Sequence, residues 1–210
     1  MNNTRKTDNP YPNRPYPVGQ LYYNLSATRA AKVAALEEFC LLEFGEAEVL
    51  FDMPRLLGFG GNYLNLGHGQ GGSAMCLAAG LNYLNMPGIV HSIDMFSTNS
   101  GHLKHVAEAS LVRTGLDQRV KLYRGLTSKY VEMVSKMELS FLFIDADHSY
   151  EGVKADFLAF SPFVKINGAV AFHDTNQEPS HTVIKENIAG NPTWEQMNHV
   201  NRIKTFKRVK

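Results

Sequence analysis

The 210-residue sequence predicts an α/β protein: a doubly wound, mostly parallel sheet in a three-layer α/β/α arrangement, with an antiparallel hairpin at the C-terminal end. Three observations carry this expectation. Short apolar runs alternate with stretches at helical spacing from about residue 62 to residue 173, and strands separated by crossover helices pair in parallel. The run FLFID at 141–145 is apolar or aromatic up to its last residue, the pattern of a strand covered on both faces. The final strand-like runs, WEQMNHV and RIKTFKRV, meet at Asn201, which leaves room for a hairpin and none for a crossover.

Taken in order, residues 1–20 carry Pro10, Pro12, Pro15 and Pro17 among Asn, Arg and Tyr. They read as an extended arm with no apolar face of its own, suited to contact with a second copy of the chain. Residues 21–210 read as one domain, with N-terminal helices at 21–60 and the sheet-bearing core at 61–210. The first helix starts after Ser26, places Val33, Leu36, Cys40, Leu41 and Phe44 at helical spacing, and stops at Gly45. The second, EAEVLFDMPRLLG, is expected to break or restart at Pro54. Strands follow at 62–67, 89–94, 119–124, 139–145 and 168–173, with helices at about 71–85, 101–114, 127–137 and 150–164 and a last helix in PSHTVIKENIAG.

Composition narrows the function classes. At 44% hydrophobic the chain can bury one sizeable core. A net charge of +1 points to no polyanionic partner, and the basic tail RIKTFKRVK alternates like a solvated edge strand, so no nucleic acid is expected. No apolar run approaches the roughly 18 residues of a membrane span, and MNNTRKTDNPYPNRPYP lacks the apolar stretch of a signal peptide. Cys40 and Cys76 lie far apart in apolar helical patterns and read as reduced thiols. A cytoplasmic protein that touches no membrane is the expectation.

In an open parallel sheet, ligands bind beyond the carboxyl ends of the strands. The unusual polar residues collect there: GHGQGG after the first strand, Asp94 after the second, Gly125 and Thr127 after the third, Asp145 to His148 after the fourth, and His173 and Asp174 after the fifth. Gly67, Gly69, Gly71 and Gly72 fall between a strand and a helix, where glycine permits a tight turn and lets backbone amides approach a ligand. Gly67, Gly69 and Gly72 satisfy G-x-G-x-x-G, and Asp94 is placed to bind ribose hydroxyls. That spacing admits a dinucleotide or S-adenosylmethionine.

The stretches NLGHGQGGSA, HSIDMF, FLFIDADHSYEGVKADF and GAVAFHDT resemble the class I S-adenosylmethionine-dependent methyltransferases. The likeness is to the small group that includes sugar and macrolide O-methyltransferases and cephalosporin-hydroxylase-like proteins. It spans about residues 60–210, and FLFIDADHSYEGVKADF with AFHDT is its specific part. The resemblance implies a Rossmann-like fold and a small-molecule or saccharide hydroxyl as methyl acceptor. It assigns the cofactor to Asn65, Gly67, His68, Gly69, Gly71 and Ser73 of the first loop, to Asp94 and Met95, to Gly125, Leu126 and Thr127, and to Asp145. Asn65 departs from the pattern, since such enzymes usually carry an acid there.

A hydroxyl attacks a sulfonium methyl well only when its proton is removed, by a general base such as His148 or by a divalent metal that acidifies it. The resemblance implies Mg2+, or another divalent cation, held by Asp145, His173 and Asp174. Asp145, His148 and His173 are the catalytic candidates. Histidine at 173, where the family has an acid, is a softer ligand than magnesium prefers. Blander readings stand beside these: Asp147 as a cap of the helix near Ser149, His148 bound to a carbonyl, Asp156 solvated or capping. IDADHS also matches the start of the haloacid-dehalogenase-like phosphatases, but follows the fourth strand where that motif opens the first. A nicotinamide-dependent oxidoreductase and a non-catalytic nucleotide-binding domain complete the alternatives.

Overall fold

The computed structural model describes Leu36 and residues 42–43, 45–96 and 102–210. The proline-rich arm, the contact between copies expected of it, and all but Leu36 of the periodic part of the first predicted helix lie outside those residues; Leu36 is helical and buried. The elements run α1 (Glu46–Leu57), β1 (Gly61–Leu66), α2 (Gly72–Tyr83), β2 (Gly88–Asp94), α3 (His102–Thr114), β3 (Val120–Arg124), α4 (Val131–Val134), β4 (Leu139–Ile144), α5 (Tyr150–Phe160), β5 (Val164–Phe172), α6 (Glu178–Asn187), β6 (Trp194–Val200) and β7 (Ile203–Arg208).

The seven strands form one sheet in the order β3-β2-β1-β4-β5-β7-β6. β1 to β5 pair in parallel; β7 pairs antiparallel with both β5 and β6. The connections run outward from β1 to β3 and then return to β4 on the other side of β1, so the direction of winding reverses between β1 and β4. A crevice opens at such a reversal because the following helices diverge to opposite faces. β4 shows why its sequence reads as unbroken apolar. Phe141 and Phe143 join the core beneath α1 and α2, while Leu142 and Ile144 join the core beneath α5 and α6. Side chains alternate across a strand, and here both faces are covered.

Three expectations are corrected. Pro54 does not break the second helix: α1 continues from Glu46 to Leu57 with Pro54 inside it and ends at Gly58, whose N–H donates to the Pro54 carbonyl at 2.9 Å. The missing proline donor is offset by tertiary packing, since one face of α1 is buried against α2. The stretch 127–137 is not one helix but a 3-10 turn at Thr127–Tyr130 followed by the single turn of α4. The helix expected at 150–164 ends at Phe160, and a short 3-10 turn containing Pro162 carries the chain into β5.

Packing of α1 on α2 depends on one position. A Cβ on Gly80 would lie 2.0 Å from the carbonyl oxygen of Phe51 and 3.3 Å from Cδ of Pro54. Alanine gains about 1 kcal/mol over glycine in a helix interior, but this contact is to backbone that cannot turn aside, and overpacking costs roughly 1–3 kcal/mol. Gly80→Ala is therefore expected to destabilise the protein, seen as a lower urea midpoint with an unchanged slope.

Candidate active site

The loop between β1 and α2 is drawn tightly over the end of β4. Gly67 has φ 87°, and a Cβ there would stand 2.1 Å from the Asp145 carbonyl oxygen, so only glycine fits. Asp94, ending β2, clasps the same loop. Its Oδ2 accepts the N–H groups of His68 (2.6 Å) and Gly69 (3.0 Å), and its Oδ1 accepts that of Phe96 (2.5 Å). A carboxylate offers about four lone-pair sites. Among the described residues three donors occupy it.

Asn65 and His68 lie beneath this loop. The Asn65 amide donates to the Gly67 carbonyl (2.7 Å) and to Ser92 Oγ (2.8 Å). An acid at this position could not donate to a carbonyl, which gives the departure a structural reason. His68 is buried, with Nδ1 2.7 Å from Ser92 Oγ. Burial pushes its pKa down to about 4, against the pull of the nearby Asp94 charge, so the ring is neutral.

Across the crevice the ends of β4 and β5 bring charges together. His173 lies with Nδ1 3.0 Å from Asp145 Oδ1 and Nε2 3.1 Å from Glu46 Oε2. Burial alone would lower its pKa, but the hydrogen bonds and charges of Asp145 and Glu46 outweigh that and raise it to about 9. Glu46, fully buried at the first turn of α1, is likewise held down to about 2. The rise due to burial is overcome by its hydrogen bonds to His173 and to the Glu43 N–H, by the charge of His173 and by the Arg202 N–H. Arg202, in the β6–β7 turn, donates to Asp174 Oδ1 at 2.9 Å and to Glu46 Oε2 at 3.3 Å. His148 is mostly exposed, with Nδ1 3.2 Å from Asp174 Oδ2.

His173, expected as a metal ligand, has a carboxylate oxygen beside each ring nitrogen. Asp145, His148 and Asp174 can each present a ligand atom within 4.8 Å of the others. Asp147 accepts the Ser149 N–H at 2.8 Å, and Ser149 caps α5 by accepting the Gly152 N–H at 3.1 Å. Glu46 and Arg202 escaped the sequence reading. Glu46 looks like an ordinary acid at a helix start, and Arg202 like part of a basic tail.

Two adjoining cavities occupy the crevice. One, of about 320 Å³, is lined by Gly67, His68, Gly69, Ser73, Asp94, Asp145, His148, His173 and Asp174, among others. The second, of about 570 Å³, takes in Met95, Gly125, Leu126 and Thr127, and shares Asp94, Ala146 and His148 with the first. Of the residues expected around a cofactor, Asn65 and Gly71 line neither; Gly71 supports the start of α2 with φ 107°. Asp156 lines the second cavity and is buried, not solvated. His91 is occupied with Tyr123 and Asn62, and His199 with the Asn201 carbonyl.

The chain belongs to the methyltransferase-domain family, whose profile matches residues 64–175, just over half of its length. Solved O-methyltransferases share the fold. The O-methyltransferase NovP superposes with a TM-score of 0.69 at 15% identity, over 82% of this chain and 83% of that one. An O-methyltransferase from Bacillus cereus, solved in complex with SAH (S-adenosylhomocysteine), gives 0.64 at 19% identity over 84% and 88%. CalS11, a TDP-rhamnose 3'-O-methyltransferase of calicheamicin biosynthesis, gives 0.62 at 16% identity over 90% and 91%. No curated protein matches the chain by sequence. Among the described residues, no helix is long and apolar enough to cross a membrane.

The Glu46–His173 pair makes stability depend on pH. With its folded pKa at about 2, Glu46 contributes above its ordinary 4.5 and loses that contribution as pH falls through 2. His173, raised to about 9, contributes fully below its ordinary 6.5 and loses it as pH rises through 9. The pair therefore stabilises most between pH 4.5 and 6.5. Thermal melts are expected to show Glu46→Gln destabilised by about 3 kcal/mol near pH 6, in the range for breaking a buried pair, with the gap from wild type narrowing toward pH 9 and above.

Proposed function

We propose that the chain is an S-adenosylmethionine-dependent O-methyltransferase acting on a hydroxyl of a small molecule or sugar, with a divalent cation beside the methyl-transfer point. The observation that carries the reading is the pair of joined cavities with Asp94 at their junction and the Asp145, His148 and Asp174 cluster on the wall of the first. Within the second cavity, Met95, Leu126 and Thr127 provide a half-apolar chamber of the size a nucleoside needs, and Asp94 stands at its mouth to accept from ribose. The first cavity, under the N-terminus of α2 and the amides of the glycine loop, suits the amino-acid end of the cofactor. The nicotinamide-dependent alternative is not favoured, because the chain belongs to a methyltransferase family.

A divalent cation would supply Lewis acidity, lowering the pKa of an acceptor hydroxyl bound to it. Asp145, His148 and Asp174 would hold it. A nitrogen in that set favours manganese or a later transition ion over magnesium, which prefers oxygen throughout. His173 keeps Asp145 turned into the cavity, and Arg202 does the same for Asp174. His148, exposed and with Nδ1 3.2 Å from Asp174 Oδ2, is also placed to take the acceptor proton directly. Substrate position relative to the methyl group supplies much of the remaining rate.

Calorimetry is expected to show binding of S-adenosylhomocysteine and none of NAD. Asp94→Ala should weaken that binding by about tenfold to a hundredfold, the worth of hydrogen bonds to a charged group; unchanged affinity would remove Asp94 from the site. In methyl-transfer assays, chelation is expected to abolish activity and manganese to restore it, with Asp145→Asn inactive yet still binding S-adenosylhomocysteine. Activity that survives chelation but collapses in His148→Ala would assign the proton to His148 instead.

A further inference from the structure

A third cleft lies outside the two cavities of the crevice and begins where the charged cluster ends. The contact between His148 and Asp174 joins the segment entering α5 to the segment entering α6. Between the beginnings of those two helices opens a cleft of about 330 Å³, lined by Tyr150, Glu178, Pro179 and Thr182. Tyr150 follows His148 by two positions, so their Cα atoms stand no more than about 7.6 Å apart. The cleft therefore continues the wall at which the acceptor hydroxyl would react. Its polar groups are already paired among themselves. The Tyr150 hydroxyl donates to Glu186 Oε2 at 2.6 Å and accepts from Lys154 Nζ at 2.5 Å, while the Thr182 hydroxyl donates to Glu178 Oε1 at 2.8 Å. What is left to meet a ligand is chiefly carbon: the Tyr150 ring, the Pro179 ring and the methyl group of Thr182. A sugar ring would bring hydroxyls that find few partners there, at a cost. A flat apolar ring would lie against tyrosine and proline without that cost.

We propose that this cleft holds an aromatic ring of the methyl acceptor, a ring carried beside the one whose hydroxyl is methylated, with Tyr150 as the side chain that selects it. The inference rests on the methyl-transfer reading above and narrows the acceptor class to compounds that join a hydroxyl-bearing ring to an aryl group. Lys154 and Glu186 hold the phenol edge of Tyr150, so the ring is set in place before a ligand arrives. A platform fixed in advance loses little freedom on binding.

The test is calorimetry on the full chain saturated with S-adenosylhomocysteine, comparing the phenyl glycosides of glucose and rhamnose with the methyl glycosides of the same sugars. The phenyl compounds are expected to bind about tenfold tighter, the scale of covering one ring against an aromatic neighbour. Tyr150→Phe keeps the ring and should keep this preference. Tyr150→Ala should erase it while S-adenosylhomocysteine still binds. Thr182→Asp leaves the Tyr150 hydrogen bonds in place but sets a charge in the cleft, and should erase the preference as well. Equal binding of phenyl and methyl compounds by wild type, or a preference that survives either Tyr150→Ala or Thr182→Asp, overturns the inference and leaves the cofactor assignment standing. A wild type that binds no S-adenosylhomocysteine overturns both.

Discussion

The site rests on the placing of a positive charge between carboxylates that could not otherwise share so small a volume. Asp145, Asp174 and Glu46 converge from β4, β5 and α1, and like charges at this range raise one another's energy unless a cation or a proton intervenes. His173 and Arg202 supply two fixed cations. Glu43 also stands 3.3 Å from Arg202 Nε, so four acidic side chains gather around these two cations. The same contacts hold α1 to the strand ends, so the electrostatics of the site and the docking of α1 are a single interaction.

Much of this arrangement was legible in the sequence because a doubly covered sheet makes polar residues conspicuous. Asp94, Asp145 and the His173–Asp174 pair stand out at the ends of apolar runs, and the parallel topology brings those ends to one edge. Glu46 was not legible, since its bond to His173 spans 127 residues and no local pattern marks it. Histidine at 173, which looked like a flawed metal ligand, bridges Asp145 and that distant acid. Pro54 misled for a related reason: the rule that proline ends a helix is local, and packing of α1 through Gly80 overrode it. Asp156 seemed solvated because a carboxylate on a helix usually is; its Thr127 partner comes from another strand's loop.

Asp94 ties the glycine turn to the end of β2: its carboxylate accepts the loop amides of His68 and Gly69 and, on the other oxygen, the amide of Phe96 just beyond the strand. Neutral His68 and Asn65 support the same turn by hydrogen bonds that add no net charge.

The link between Glu46 and His173 also constrains how such a chain can change over generations. A lineage that loses the acid at 46 is left with an imidazole whose proton has one fewer reason to stay, and one that restores an acid at 173 sets it against Glu46 in a buried space. Each step alone costs stability that the paired change would recover. Positions 46 and 173 are thus expected to be inherited as a pair, histidine at the strand end travelling with an acid at the start of α1.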